Sequence, residues 1–473
     1  MNITILGAGT AGLIAALTIK NRFKKFNIQV IKSDKLGIIG VGEGSTEHWR
    51  SFCDFNNISI KELIEETDAT FKYGIMFEGW TKEPYFHNVN TELLNIKLGQ
   101  YLAGYGFCTK NNLNSKKYTL PFCWNSNIAK DNLANQFHFN TIKLNKFLIK
   151  KCEQIGINFI DDKITDLKFN DFGYIDCLFS KENKYTSDFF IDCSGFKKFL
   201  ISKLGAKWIS YKEYLPMNEA IAFPTEDTEE YTPFTLAKAM SGGWMWRIPT
   251  NGRWGNGYVY NNNYITAEEA KQECEIYLNK KINIAKNIKF EAGSLDRAWI
   301  KNCVAIGLSS SFIEPLEASS IGTSIQQSFL LIHLLSNYQQ KDIDLYNKKF
   351  ISIVENIRDF VLLHYMCNKK DSKFWKELQL KLPQSLIDIL EKVKSRLLIK
   401  EDFDNEYLLF TEPNFIIVLN ELNLIDKSKI TREYDNLSEN LKTLTERNVN
   451  QILNKRHNTM GHKLFLNTDA RYL

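Results

Sequence analysis

The first six residues set the pattern for the amino-terminal third. Asn2–Leu6 (N-I-T-I-L) is a short apolar run with β-branched members, which predicts a strand buried on both faces. It breaks at Gly7-Ala8-Gly9-Thr10-Ala11-Gly12, and apolar residues 13–17 then resume at helical spacing. Asn27–Lys32 (N-I-Q-V-I-K) supplies a second strand, completing a βαβ unit of about thirty residues. Further strands are predicted over 157–160, 164–169, 174–179 and 184–193, the last running into Asp192-Cys193-Ser194-Gly195. Residues 303–307 (C-V-A-I-G) form a late apolar strand before a loop and a helix. From Ser324 the pattern is helical, with long runs over 328–335 and 343–365; beyond Asp371 the chain is richer in Lys, Asn and Glu and carries few strand signals. No repeat, low-complexity tract or Pro/Gly/Ser linker interrupts it, and the order predicts an α/β fold.

The glycines between the first strand and helix give that fold a ligand. Gly7, Gly9 and Gly12 fall as G-x-G-x-x-G. The first glycine permits a tight turn and the second lets backbone approach a pyrophosphate. The third lets helix and strand pack closely, while the helix N-terminus faces the phosphates. The alternative, a glycine-rich turn that binds nothing, is weakened by the strand before and the helix after. Lys32 and Ser33 stand where a ribose-binding acid is expected, which argues against NAD more than against FAD. A second loop, Ile39-Gly40-Val41-Gly42-Glu43-Gly44-Ser45-Thr46, holds three glycines in five positions; flanking Ile and Val favour a buried loop over a flexible one.

Composition narrows the class. The 473 residues are 44% hydrophobic and 24% charged, ordinary globular values, and the net charge of +5 is too diffuse to indicate nucleic acid or an anionic membrane. Nine cysteines without a C-x-x-C pair read as buried thiols in a reducing compartment, with neither a disulfide framework nor a metal site. The amino terminus lacks a basic, cleavable leader, and no apolar stretch nears the ~18 residues of a membrane span. A cytoplasmic location is expected. Aromatic residues reach 13%, consistent either with an AT-rich genome or with aromatic-lined cavities.

Two later motifs are more particular. Trp244-Met245-Trp246-Arg247-Ile248-Pro249 puts two tryptophans on one face of an extended strand, and Phe312-Ile313-Glu314-Pro315-Leu316-Glu317-Ala318-Ser319-Ser320-Ile321-Gly322 lies between the late strand and a helix. With the G-x-G-x-x-G, the G-V-G-E-G-S-T at 40–46 and the W-x-W-x-I-P at 244–249, the chain resembles the flavin-dependent halogenases of the tryptophan-halogenase type, over roughly its first 375 residues. The resemblance implies a Rossmann-like FAD-binding domain of the flavin monooxygenase type over 1–370. A β-rich substrate insert at roughly 80–300 would interrupt it, and a mostly helical region, 371–473, would cover the substrate.

It also implies roles. FAD would lie against Gly7, Gly9, Thr10, Ala11, Gly12, Gly40, Val41, Gly42, Glu43, Ser194, Gly195, Gly307 and Ile321. Halide (chloride, bromide or iodide) would sit on the backbone of Ser319 and Ser320, although the family usually has Gly at 320. Trp244, Trp246 and Pro249 would wall a channel carrying hypohalous acid, made from O2 and halide at reduced FAD, to Lys72. Lys72 would orient the oxidant and Glu317 would receive charge or a proton from the aromatic substrate; Phe71 and Tyr73 beside Lys72 set this against the plain reading of a solvated lysine. For Glu317 the plain reading is an acid favoured at a helix N-terminus. A separate NAD(P)H-dependent flavin reductase is the implied partner, and homo-oligomerisation is left open. In the carboxy-terminal segment, Phe415 replaces the tryptophan of enzymes that act on free tryptophan, and the glycine there is missing. An indole or phenol is therefore expected as readily as tryptophan. The competing readings are a flavin-dependent aromatic hydroxylase and a non-catalytic flavin-binding protein.

Overall fold

The computed structural model describes residues 1–33, 43–88, 103–118, 136–454 and 460–468. Gly40, Val41 and Gly42 lie outside the described residues.

The predicted βαβ unit forms, with β1 at Asn2–Leu6, α1 at Thr10–Arg22 and β2 at Asn27–Lys32. β1 runs near the middle of a six-stranded sheet, parallel to β2 on one side and to Phe189–Asp192 on the other. Asn158–Asp161 and Cys303–Ala305 extend the sheet in parallel, and only Trp299–Ile300 is antiparallel. Both faces are covered: Ile3, Ile5, Val30 and Ile31 are fully buried, and so is Thr4, whose hydroxyl is paired with Ser187. One face carries α1, flanked by the helices Thr141–Gln154 and Ser319–Leu334. The other carries a three-stranded sheet (Asp166–Phe169, Ile175–Phe179, Lys184–Thr186) through Leu167, Leu178 and Phe190.

Two expectations need correction. The strand read over 184–193 is two strands in different sheets. Ser187 and Asp188 divide it by bonding back to the start of the chain: Ser187 Oγ pairs with Thr4 Oγ1 at 2.6 Å, and Asp188 Oδ2 accepts the Asn2 N–H at 2.7 Å. The helix read from Ser324 begins at Ser319. Its first turns are polar, but Thr323, Ser324 and Ser328 satisfy their hydroxyls on the carbonyls of Ser319, Ser320 and Ser324, four residues back.

A seven-stranded sheet forms the second layer. Its order is Lys286–Lys289, Glu219–Glu226, Arg253–Tyr260, Gly243–Thr250, Thr235–Met240, Gly74–Glu78 and Tyr85–Asn88. Every pairing is antiparallel except Thr235–Met240 with Gly74–Glu78. A small sheet of Glu43–Gly44, Phe137–Phe139 and Thr70–Phe71 lies between it and the layer of the six-stranded sheet. The long helix Gln340–His364 and the carboxy-terminal helices Glu412–Glu421 and His462–Thr468 pack into one continuous core with both layers. Among the described residues no helix is long and apolar enough to cross a membrane.

Candidate active site

The end of β1 opens into a cleft of about 860 Å³. Gly7 turns the chain with φ +115°, and a Cβ there would lie 2.3 Å from the Cys193 carbonyl oxygen. Gly12 packs against Gly7, where a Cβ would meet the Gly7 carbonyl oxygen at 2.1 Å. Nothing lies within 4 Å of a Cβ built on Gly9, so the loop is bare toward the cleft, beside the N-terminus of α1. Gly7 and Gly9 thus present bare backbone to the cleft, and Gly12 lets the helix pack against the turn. Thr10, Ala11, Ser194 and Gly195 line the same cleft, as do Glu43, Gly307 and Ile321. Burial pushes the Glu43 carboxyl up to about 7. A smaller cavity adjoins the cleft, bordered by Ser319, Ile313 and Ile357; Ser320 and Gly307 line both spaces.

Lys72 is built from below by the small bridging sheet. It follows Thr70–Phe71, and its own N–H reaches the Gln136 carbonyl at 3.0 Å. Its side chain is 1% exposed, and its ammonium donates to the Ser45 carbonyl at 2.8 Å. Burial pushes Lys72 down to about 8, while the charge of Glu317 pulls in the opposite direction. A Cβ on Gly44 would lie 3.4 Å from both Lys72 Nζ and Ala318 Cβ, so the second glycine loop, the lysine and the 312–322 segment meet at one point. Ala318, between Glu317 and the helix, holds φ +53°, a conformation that strains a residue with a Cβ.

Glu317 is fully enclosed. His87 Nδ1 lies 3.0 and 2.9 Å from its two oxygens. His364 Nε2 lies 2.8 Å from Oε1, out of line for a full hydrogen bond. Burial alone would raise this carboxyl; the two imidazoles reverse that and hold it below the ordinary carboxylate range. Behind the rings, Tyr85 OH meets His364 Nδ1 at 2.7 Å and Asn414 Nδ2 meets His87 Nε2 at 3.1 Å. The result is a buried ammonium and a buried carboxylate with no bulk water around either.

The pattern that defines the tryptophan halogenase family matches residues 2–436. The chain belongs to that family. It is 28% identical over 435 residues to the 7-chloro-L-tryptophan 6-halogenase KtzR of Kutzneria sp. strain 744, spanning 82% of this chain and 84% of that protein. It is 28% identical over 422 residues to the tryptophan 7-halogenase RebH of Lentzea aerocolonigenes, spanning 80% and 79%. The fold is that of the tryptophan halogenase of Shewanella frigidimarina, with a TM-score of 0.86 at 23% identity, covering 100% of this chain and 98% of that one. The protein is accordingly an enzyme, a flavin-dependent halogenase in class.

Within this halogenase frame, the W-x-W-x-I-P segment braces the site. Pro249 accepts the Thr70 hydroxyl at 2.8 Å, tying the end of the Gly243–Thr250 strand to the residues before Lys72. Trp246 lies over Gly257, where a Cβ would come within 2.0 Å of its ring. Trp244 is fully buried, and its indole N–H reaches Glu314 Oε1 at 3.2 Å. Tyr365 donates to the same oxygen, and burial pushes the Glu314 carboxyl up to about 7. Phe415 packs among Phe360 and Phe403 in the core, while its neighbour Asn414 is the residue of that segment that reaches the Glu317 cluster. Sequence reasoning missed His87, Tyr85, Ser45 and Asn414. His87 had one available signal: it is among only seven histidines, inside the strand-like Y-F-H-N.

Proposed function

We propose that this halogenase transfers electrophilic halogen, by way of Lys72, to an electron-rich aromatic ring of indole or phenol type. Reduced FAD bound in the cleft, supplied by a separate reductase, would use O2 and halide to provide hypohalous acid. Gly7, Gly9 and the N-terminus of α1 would hold its pyrophosphate, and Ser194, Gly195 and Gly307 its remaining length. Ser319 and Ser320, at the junction of cleft and cavity, would hold the halide on backbone N–H groups. Trp244, Trp246 and Pro249 would wall the route from there to Lys72.

Lys72 then positions hypohalous acid by donating a hydrogen bond to its oxygen. The carbon–halogen bond forms as the oxygen–halogen bond breaks, and the departing hydroxide leaves as water with a proton from Lys72. The ring proton passes to Glu317. Lys72 regains its proton as Glu317 gives one up, so the cycle closes on aromatic plus hypohalous acid giving aryl halide plus water.

One observation carries this reading: Lys72 and Glu317 are both buried and feel each other's charge, and among the described residues the Lys72 ammonium bonds the Ser45 backbone carbonyl, which takes one of its three N–H donors. In Lys72→Ala, reduced flavin should still consume oxygen at near the wild-type rate. Halogenated product should fall by at least ~100-fold, the loss expected when a reactant is no longer held in place. Glu317→Gln should show the same uncoupling to a lesser degree. Oxygen uptake and product are measured on the same samples with chloride, bromide and iodide. Normal product from Lys72→Ala would remove Lys72 from the mechanism, and product formed without any halide would identify a hydroxylase.

A further inference from the structure

Glu317 works as a base only if the groups around it leave it unprotonated and its charge available. Among the described residues the titratable groups around it are His87 from the Tyr85–Asn88 strand, His364 from the end of the long helix, Lys72 from the bridging sheet and, behind His364, Tyr85. Phe360 and Phe410 close the far side of His87. An imidazole beside a carboxylate can be a neutral donor or an imidazolium, and the second form would cancel the carboxylate's charge.

The geometry around His87 selects one form. Asn414 sits in the first turn of the Glu412–Glu421 helix and is 3% exposed. Its Oδ1 is already taken, accepting the Thr411 backbone N–H at 2.9 Å. A backbone N–H has no choice of role, so the amide orientation is fixed and the Nδ2 group must face His87 Nε2 at 3.1 Å. An amide NH2 only donates. Nε2 of His87 must therefore accept, the ring's single proton sits on Nδ1, and Nδ1–H donates to both oxygens of Glu317. A second proton on this ring would point an N–H at an N–H.

We propose that Asn414 is a positioning residue for halogen transfer: it locks His87 in the neutral Nδ1–H tautomer and so keeps Glu317 a charged, available proton acceptor. The helix cap that orients Asn414 is part of the device, because Thr411 decides which end of the amide faces the histidine. This proposal rests on the reading of Glu317 as the proton acceptor, but its structural half can be tested without turnover.

The test uses the full chain labelled with 15N-histidine, with the His87 signals assigned by their loss in His87→Gln. The wild-type ring should show one protonated nitrogen, Nδ1, and one bare nitrogen, Nε2. Asn414→Asp keeps an acceptor for the Thr411 N–H but removes the donor to His87. It should unfold at the wild-type temperature, and both ring nitrogens should become protonated. Product per oxygen consumed should drop by about 100-fold at pH 7, the lower range for a positioned proton-transfer group, and the pH profile of product formation should change shape while oxygen uptake holds. A wild-type spectrum with the proton on Nε2, or on both nitrogens, overturns the proposal whatever the variants do. So does Asn414→Asp with an unchanged pH profile and yield, or with oxygen uptake and product lost together. Should the wild type give no halogenated product at all, the assignment of Glu317 fails, and the nitrogen spectrum still decides the tautomer.

Discussion

At the scale of single residues, the chemistry of this site is carried by charges kept away from water. Lys72 is the clearest case, with burial holding it near 8 where a free lysine titrates at 10.5. Between those values the unfolded chain binds a proton that the folded chain does not, so wild-type stability should rise with pH from 8 to 10.5. Below pH 8 the buried ammonium opposes folding by up to about 3 kcal/mol, and loss of the bond to the Ser45 carbonyl offsets about 1–2 kcal/mol of any relief. Lys72→Met should therefore be about 1–2 kcal/mol more stable than wild type at pH 7, with the advantage gone by pH 10.5. Denaturant unfolding at the two pH values measures it, and a variant less stable at pH 7 would contradict the account. Residues with motif partners nearby in sequence, such as Gly7, Gly9 and Glu317, could be singled out, and the structure places the glycines on the cleft and Glu317 near Lys72. His87 and Asn414 could not be, because a lone histidine in a strand and an asparagine at a helix start have ordinary structural uses. Only the fold brings residues 87, 317, 364 and 414 to one place.

Among the elements, the sequence read well where pattern and burial coincide and poorly where side chains bond to backbone. β1, α1 and β2 were plain because their apolar residues are buried continuously. The 184–193 strand hid its break because Ser187 and Asp188 need no glycine or proline to leave one sheet for another. The start of the Ser319–Leu334 helix hid behind serines that bond internally, and behind Ala318, whose left-handed φ no alanine advertises. That conformation is also a reservoir of strain next to Glu317. Ala318→Gly should relieve it and stabilise the protein by about 0.5–1 kcal/mol, less than the full left-handed penalty because glycine also loosens the unfolded chain. Thermal unfolding reads the change; a lower midpoint would mean that the Ala318 methyl, packed toward Gly44, matters more than its backbone angle.

Over the whole molecule, two spaces are joined by one short segment. The flavin-type cleft and the cavity beside it share Ser320, and Glu317 stands three residues away on the side of Lys72. The carboxy-terminal segment contributes a packed Phe415 and the polar Asn414. In competition assays with one halide and limiting enzyme, simple indoles or phenols should be halogenated faster than free tryptophan. Regiospecific, efficient halogenation of tryptophan with little activity on the others would refute that. The sequence showed Phe415 but not its geometry, which depends on packing against Phe360 and Phe403.

The parallel pairing of Gly74–Glu78 with Thr235–Met240 has a consequence for how the protein is made. The strand that follows Lys72 leaves the ribosome long before its partner exists. At about 5–20 residues per second, it waits for on the order of ten seconds or more with a buried-type edge exposed. β1 waits similarly for Phe189–Asp192, and that strand for Cys303–Ala305. Such pairings between distant segments are slow to form and leave sticky intermediates in the meantime. The nascent chain is thus a natural client for chaperones, and soluble yield should depend more on synthesis rate and temperature than on the stability of the finished enzyme.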